Sequence, residues 1–152
     1  MAANSIIPRN RADEAPVETK PGKYLTFRIA RQDFAMNAEC VHAILPMHQM
    51  APLEIAHAFI CGFAAVSGRD FPVVDLRRKL DLPHGSQGRE PFIVVVAIDD
   101  RYAGFIADRV SELIDVRQRD FHNGVLRGQG RPRKMLDPRQ ILKEADWPVF
   151  RG

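Results

Sequence analysis

Gly62-Phe63-Ala64-Ala65-Val66-Ser67-Gly68-Arg69-Asp70-Phe71-Pro72-Val73-Val74-Asp75-Leu76 is the stretch that decides the fold. Two apolar runs, 64–66 and 71–74, flank the dipeptide Ser67-Gly68. A small polar residue followed by glycine between apolar runs marks a tight turn, because glycine takes φ > 0 at no steric cost. The stretch is therefore strand, turn, strand. Pro72 gives no N–H to a ladder and fits a strand start or an edge. Asp75 is placed to cap a helical turn over 76–80, its carboxylate accepting from the free amides there. Gly62, at the head of the unit, is read as a second glycine needing φ > 0.

The same reading extends outward. Upstream, Ile55, Ala58, Phe59 and Phe63 predict a short helical turn running into Gly62. Tyr24, Leu25, Phe27, Ile29, Phe34 and Met36 predict a hairpin over 24–36, turning at Arg31-Gln32-Asp33. Asn37 is read as the cap of a short helix, with Cys40, Val41, Ile44 and Leu45 on one face and Pro46 ending it. Downstream, 83–90 is a loop. The run 92–98 is apolar on both faces and rich in β-branched residues, so it is expected as a central, buried strand. Asp99-Asp100 turns it into a strand over 102–107, and Val110 to Val116 continues as strand. Residues 121–134 show little period. Met135-Leu136 reads as a short strand, and Asp137-Pro138 opens a C-terminal helix carrying Ile141, Leu142 and Ala145. Eight to ten short strands with three short helices point to small barrels or a sandwich and away from a doubly wound sheet.

The chain has 152 residues, 45% of them hydrophobic, which fits one globular domain by the usual span of roughly 100–200 residues. Residues 1–22, with three prolines and no period, are expected as a disordered tail, 23–146 as the domain and 147–152 as a second tail. Cys40 and Cys61 are too few for a disulfide scaffold and read as reduced core residues, which points to the cytoplasm. The longest apolar run, 92–98, is far short of the roughly 20 residues of a membrane span, and no signal-peptide core is visible.

Three groups of residues are candidates for chemistry. Ser67, Ser86 and Ser111 lack a nucleophile-elbow context, and Cys40 and His42 fall on different helix faces, so no catalytic residue is assigned. Cys40, His42, His57 and Cys61 lack paired metal-ligand spacing, and no metal is expected. The net charge is +3 and the pI about 9.1, with Arg127, Arg131, Arg133 and Lys134 clustered. That stretch lacks interleaved aromatics for base stacking, so a nucleic-acid-binding barrel is the disfavoured alternative to a solvated loop or one that speeds encounter with an acidic partner.

Gly62, Gly68, Pro72, Val73, Asp75 and Leu76 stand at the spacing of the G-V-x-N-L-R-G-x-V-x-P-V-x-D-L signature of the CheW-like domain family, which the sequence resembles. Further blocks agree in order: Val41 to Ile44, Pro52 with 59–62, Gly104 with Asp108 and Val110, and 137–142. The resemblance covers residues 24–145. It implies a mostly β fold of two small five-stranded Src-homology-3-like barrels packed together with short helices. It implies an adaptor without catalysis or cofactor, coupling chemoreceptor cytoplasmic tips to the regulatory domain of a CheA-type histidine kinase. It places the partner surface at Val41, Ala43, Ile44, Gly62, Val66, Ser67, Gly68 and Arg69. Ser67 stands where the family has Arg, Ala65 where it has Asn and Ala43 where it has Glu. A serine cannot replace a bidentate guanidinium, although Arg69 could stand in if the turn keeps its register. The alternative is a paralogue that binds the kinase without receptor coupling.

Overall fold

The computed structural model describes residues 17–55, 57–83, 90–128 and 130–147. Among these residues twelve strands build two six-stranded sheets. The first runs β3 (Val41–Pro46), β7 (Phe92–Ile98), β8 (Arg101–Ala107), β6 (Arg69–Val74), β5 (Ile60–Val66) and β4 (Ala51–Pro52). The second runs β10 (Phe121–His122), β11 (Val125–Leu126), β12 (Arg133–Met135), β2 (Gln32–Asn37), β1 (Gly22–Ile29) and β9 (Arg109–Val116). Each is a small barrel of five strands with one added two-residue strand, β4 or β10. Pairing is antiparallel except for β6 with β8 and β12 with β2.

Three apolar clusters follow from this layout. Phe71, Val73, Ile93, Val95 and Ile106 fill the first barrel. Tyr24, Ala35, Val116, Leu126 and Met135 fill the second. The largest cluster, including Phe27, Phe34, Val74, Val94, Phe105 and Leu136, lies where the barrels meet. The β7 strand supplies Ile93 and Val95 to one cluster and Val94 and Val96 to another. That is why its sequence is apolar at successive positions.

Two predicted helices are strands or loops instead. Asn37 does cap, its side chain accepting from the Glu39 amide, but only a 3-10 turn over Ala38–Cys40. Residues 41–46 are β3, paired with β7 across a bulge between Val41 and Ala43. Their apolar positions alternate: Ala43 and Leu45 pack into the first barrel, while Ile44 points out. Residues 60–66 are likewise strand, and no helix forms over 55–59 among the described residues. The opening hairpin turns at Ala30-Arg31, with φ of 53° and 68°, not at 31–33.

Both aspartate caps and the central strand form as expected. Asp75 caps α1 (Leu76–Lys79) by accepting from the Arg77 amide, and Asp137 caps α2 (Pro138–Ile141) by accepting from Arg139. Strand β7 lies inside its sheet with Val94, Val95 and Val96 fully buried. Residues 17–21, grouped with the tail on sequence, include Val17 against the second barrel's core, and the Tyr24 hydroxyl donates to the Lys20 carbonyl at 2.7 Å. The tail stretches 1–16 and 148–152 and most of the 83–90 loop lie outside the described residues. Trp147 packs against the inter-barrel core, with the Arg101 guanidinium 4.1 Å from its ring centre.

A polar lock sits where the chain crosses from one barrel to the other. Asp108 joins β8 to β9, and its Oδ2 accepts from Arg77 Nη2 at 2.6 Å and from the Ala30 amide at 2.9 Å. Its own amide donates to the Arg28 carbonyl at 2.9 Å. Arg77 comes from α1, so one carboxylate ties the first barrel's helix to the second barrel's hairpin.

Candidate interaction surface

All eight expected partner residues belong to the first barrel, on β3, β5, β6 and the turn between the last two. They do not form one flat patch. Gly62 is buried. Ala43 and Val66 are half-buried against the barrel core, and Val41 packs toward the barrel junction. Ile44, 42% exposed, and Ser67, Gly68 and Arg69 face outward.

The turn is a two-residue hairpin. Val66 pairs with Arg69, and Ser67 and Gly68 take φ of 53° and 75°. Two successive positive φ values match the right-handed twist of the flanking strands. Gly68 thus has the conformational role expected of it. Gly62 does not, since it lies within β5 and shows no positive φ. Its reason is contact: a Cβ there would sit 2.4 Å from the Ala51 carbonyl oxygen and 2.7 Å from Met50 Sδ.

Tyr102 bridges the two halves of the surface. Its ring stacks on His42 with centroids 4.5 Å apart, and the Arg69 guanidinium lies 4.4 Å from its centroid. Arg69 Nη2 also donates to the Asp100 carbonyl. Strand β3 and the β5–β6 hairpin are therefore held in one arrangement by an aromatic ring on β8. The sequence offers His42 only as a weak catalytic or metal-ligand candidate and Tyr102 only as a strand residue. The available signal was the step Tyr102, Gly104, Ile106: one face of β8, with the aromatic at the barrel rim. Arg69 shares the face of β6 that carries Phe71, two residues on, and its exposed side chain lies at the rim beyond the core. A guanidinium therefore does occupy this rim, although Ser67 has none.

The cysteines are apart from any reactive arrangement. Burial pushes the Cys61 thiol up to about 11, so it is protonated at neutral pH, and it donates to the Val73 carbonyl at 3.4 Å. Burial also raises Cys40. Among the described residues no three His, Cys, Asp or Glu side chains gather in a way that could hold a metal. No helix among them is long and apolar enough to cross a membrane.

Comparison with known proteins adds family and fold. A model of the CheW-like domain matches residues 23–145. The chemotaxis protein CheW of Rhizobium meliloti (strain 1021) is 27% identical over 96 residues, 63% of this chain and 62% of that protein. That of Bacillus subtilis (strain 168) is 27% identical over 107 residues, 70% of this chain and 69% of that protein. That of Thermotoga maritima is 26% identical, covering 82% of this chain and 90% of that protein. Among solved structures, the scaffolding protein TtCheW from Thermoanaerobacter tengcongensis superimposes with a TM-score of 0.72 at 18% identity, over 83% of this chain and 95% of that one. That likeness is one of fold.

Proposed function

The chain belongs to the CheW-like domain family, and from that premise we propose that it is a non-catalytic, cytoplasmic adaptor of chemotaxis-type signalling. It couples a CheA-type histidine kinase, through the kinase's regulatory domain, to the cytoplasmic tips of chemoreceptors. The observation that carries this reading is the family match over nearly the whole double barrel, residues 23–145. The names of the matched relatives, chemotaxis proteins and a scaffolding protein, support it. An outward rim of Ile44, His42, Tyr102 and Arg69 gives a partner an apolar contact, a ring and a guanidinium, residue types that suit interface anchors.

The test is association of the purified chain with the regulatory domain of such a kinase. Saturable binding is expected at tens of micromolar protein. No association there would overturn the reading. Ile44→Asp places a charge on an exposed position, so it should weaken binding about tenfold or more while leaving the unfolding midpoint unchanged. Equal binding by the variant would remove Ile44 from the surface.

A second reading, kinase binding without receptor coupling, turns on two positions, while the family match supports the first reading. Ala43 packs into the barrel and offers no carboxylate to a partner. Arg69 is engaged with Tyr102 and the Asp100 carbonyl rather than free at the turn tip. On this reading Ser67→Arg raises receptor recruitment in a reconstituted array without changing kinase affinity. Unchanged recruitment would remove the motive for it.

A further inference from the structure

The second barrel carries a groove that the partner reading leaves unused. It lies between the β1–β2 hairpin tip and the β11–β12 connection and has a volume of about 530 Å³. Arg31, Arg127, Arg131, Arg133 and Lys134 line it, with Asp33 as the only acid among the lining residues. Asp33 is itself shared between Arg28 at 3.0 Å and Arg131 at 3.4 Å. The cation excess is therefore large and local, on a chain of net charge only +3.

Backbone contacts fix part of this lining. The Asp120 carbonyl accepts from the Arg127 amide at 2.8 Å and the Gly128 amide at 3.1 Å. Gly128 fits against the Asp120 carboxylate so closely that a Cβ would lie 2.1 Å from Oδ1. On the far side, Arg31 occupies a left-handed backbone position with φ of 68° at the hairpin tip. Arg133 and Lys134 stand on β12, which is hydrogen-bonded to β2. Two separate turns and a strand thus bring cationic residues to the lining of one groove. Like charges brought together cost free energy unless an opposite charge occupies the space between them.

We propose that this groove docks an acidic segment of a partner protein. Guanidinium groups present a planar fork that fits carboxylates two bonds at a time. An extended acidic peptide offers carboxylates on one face about every 7 Å. The apolar part of the lining is Val125 and Pro132, with no aromatic ring. Single-stranded nucleic acid draws much of its affinity from stacking on such rings, so the lining favours carboxylates over bases. The proposal does not depend on the surface around Ile44 and Arg69, which belongs to the other barrel.

The experiment uses the full chain and a fluorescent octa-glutamate peptide, with anisotropy as the readout. Binding is expected at about 50 mM salt and should weaken several-fold by about 200 mM. The variant R127E/R131E should lose about tenfold or more in affinity. R109E/R119E changes the net charge equally at exposed positions that do not line the groove, and it should bind as the parent does. Circular dichroism checks the fold, and R127Q/K134Q serves as a milder second pair read the same way. Equal loss in R109E/R119E would reduce the effect to overall basicity and overturn the proposal. So would absence of binding at low salt, or tighter binding of a thymidine oligomer of equal charge.

Discussion

Asp108→Ala should lower the unfolding free energy by about 3–5 kcal/mol, the usual cost of breaking a buried ion pair from one side. The Arg77 side chain is 6% exposed and that of Asp108 15%, so the pair is shielded from solvent. Removing the carboxylate leaves the guanidinium without its 2.6 Å acceptor, and the Ala30 amide also loses its 2.9 Å acceptor. Domains of this kind are stable by only about 5–15 kcal/mol, so a large share would be lost. Denaturant titration of the variant measures it. A cost below about 0.5 kcal/mol would show that the lock contributes little. The double change Arg77→Met with Asp108→Leu is expected to be milder than Asp108→Ala, because the buried guanidinium is then removed together with its carboxylate. The lock has a mechanical meaning as well. It joins α1 of one barrel to the hairpin of the other at the chain crossover, beside the largest apolar cluster. Loss of Asp108 should therefore broaden the unfolding transition if the barrels begin to separate independently.

Gly62→Ala is the second large effect, with an expected cost of about 1–3 kcal/mol from overpacking. The nearest obstacle is a backbone atom, the Ala51 carbonyl oxygen at 2.4 Å from the added carbon. Met50 could swing its thioether aside, but Ala51 lies in β4 and pairs with β5, so that strand must shift. Kinase-domain binding by Gly62→Ala should fall only as far as the folded fraction falls, because Gly62 is buried beneath β4. A drop in affinity at an unchanged unfolding midpoint would make Gly62 a contact residue after all. Paired with Ile44→Asp, the measurement separates scaffold from surface within one motif.

The stretch 62–76 was legible because its signals are local. Ser67-Gly68 and Asp75 act within two residues of themselves, and both did what their chemistry dictates. The β7 strand was legible because burial on both faces leaves a continuous apolar run. Residues 41–46 were misread because Val41, Ile44 and Leu45 satisfy a helical spacing while Ala43 and Leu45 satisfy a strand one. Pairing with β7, some fifty residues away, decides between them. The two-residue strands β4, β10 and β11 are too short to show any period. They exist because a neighbouring strand offers hydrogen bonds. The proposed partner surface was half legible. Its strands and turn were found by motif, yet Tyr102, which fixes them relative to one another, carries no sequence mark.

The sequence by itself determined the mostly β class, the Ser67-Gly68 hairpin, the two aspartate caps and the central place of 92–98. These follow from backbone preferences and burial patterns that act over a few residues. Tertiary structure decided that residues 41–46 are strand, that Gly62 is required for close approach and not for its φ, and that Asp108 locks two barrels through Arg77. It also gathered Arg31 with Arg127, Arg131, Arg133 and Lys134, about a hundred positions away, around one groove. In each of these cases the deciding partner is distant along the chain, and only the folded pairing of strands brings it within hydrogen-bond or van der Waals range.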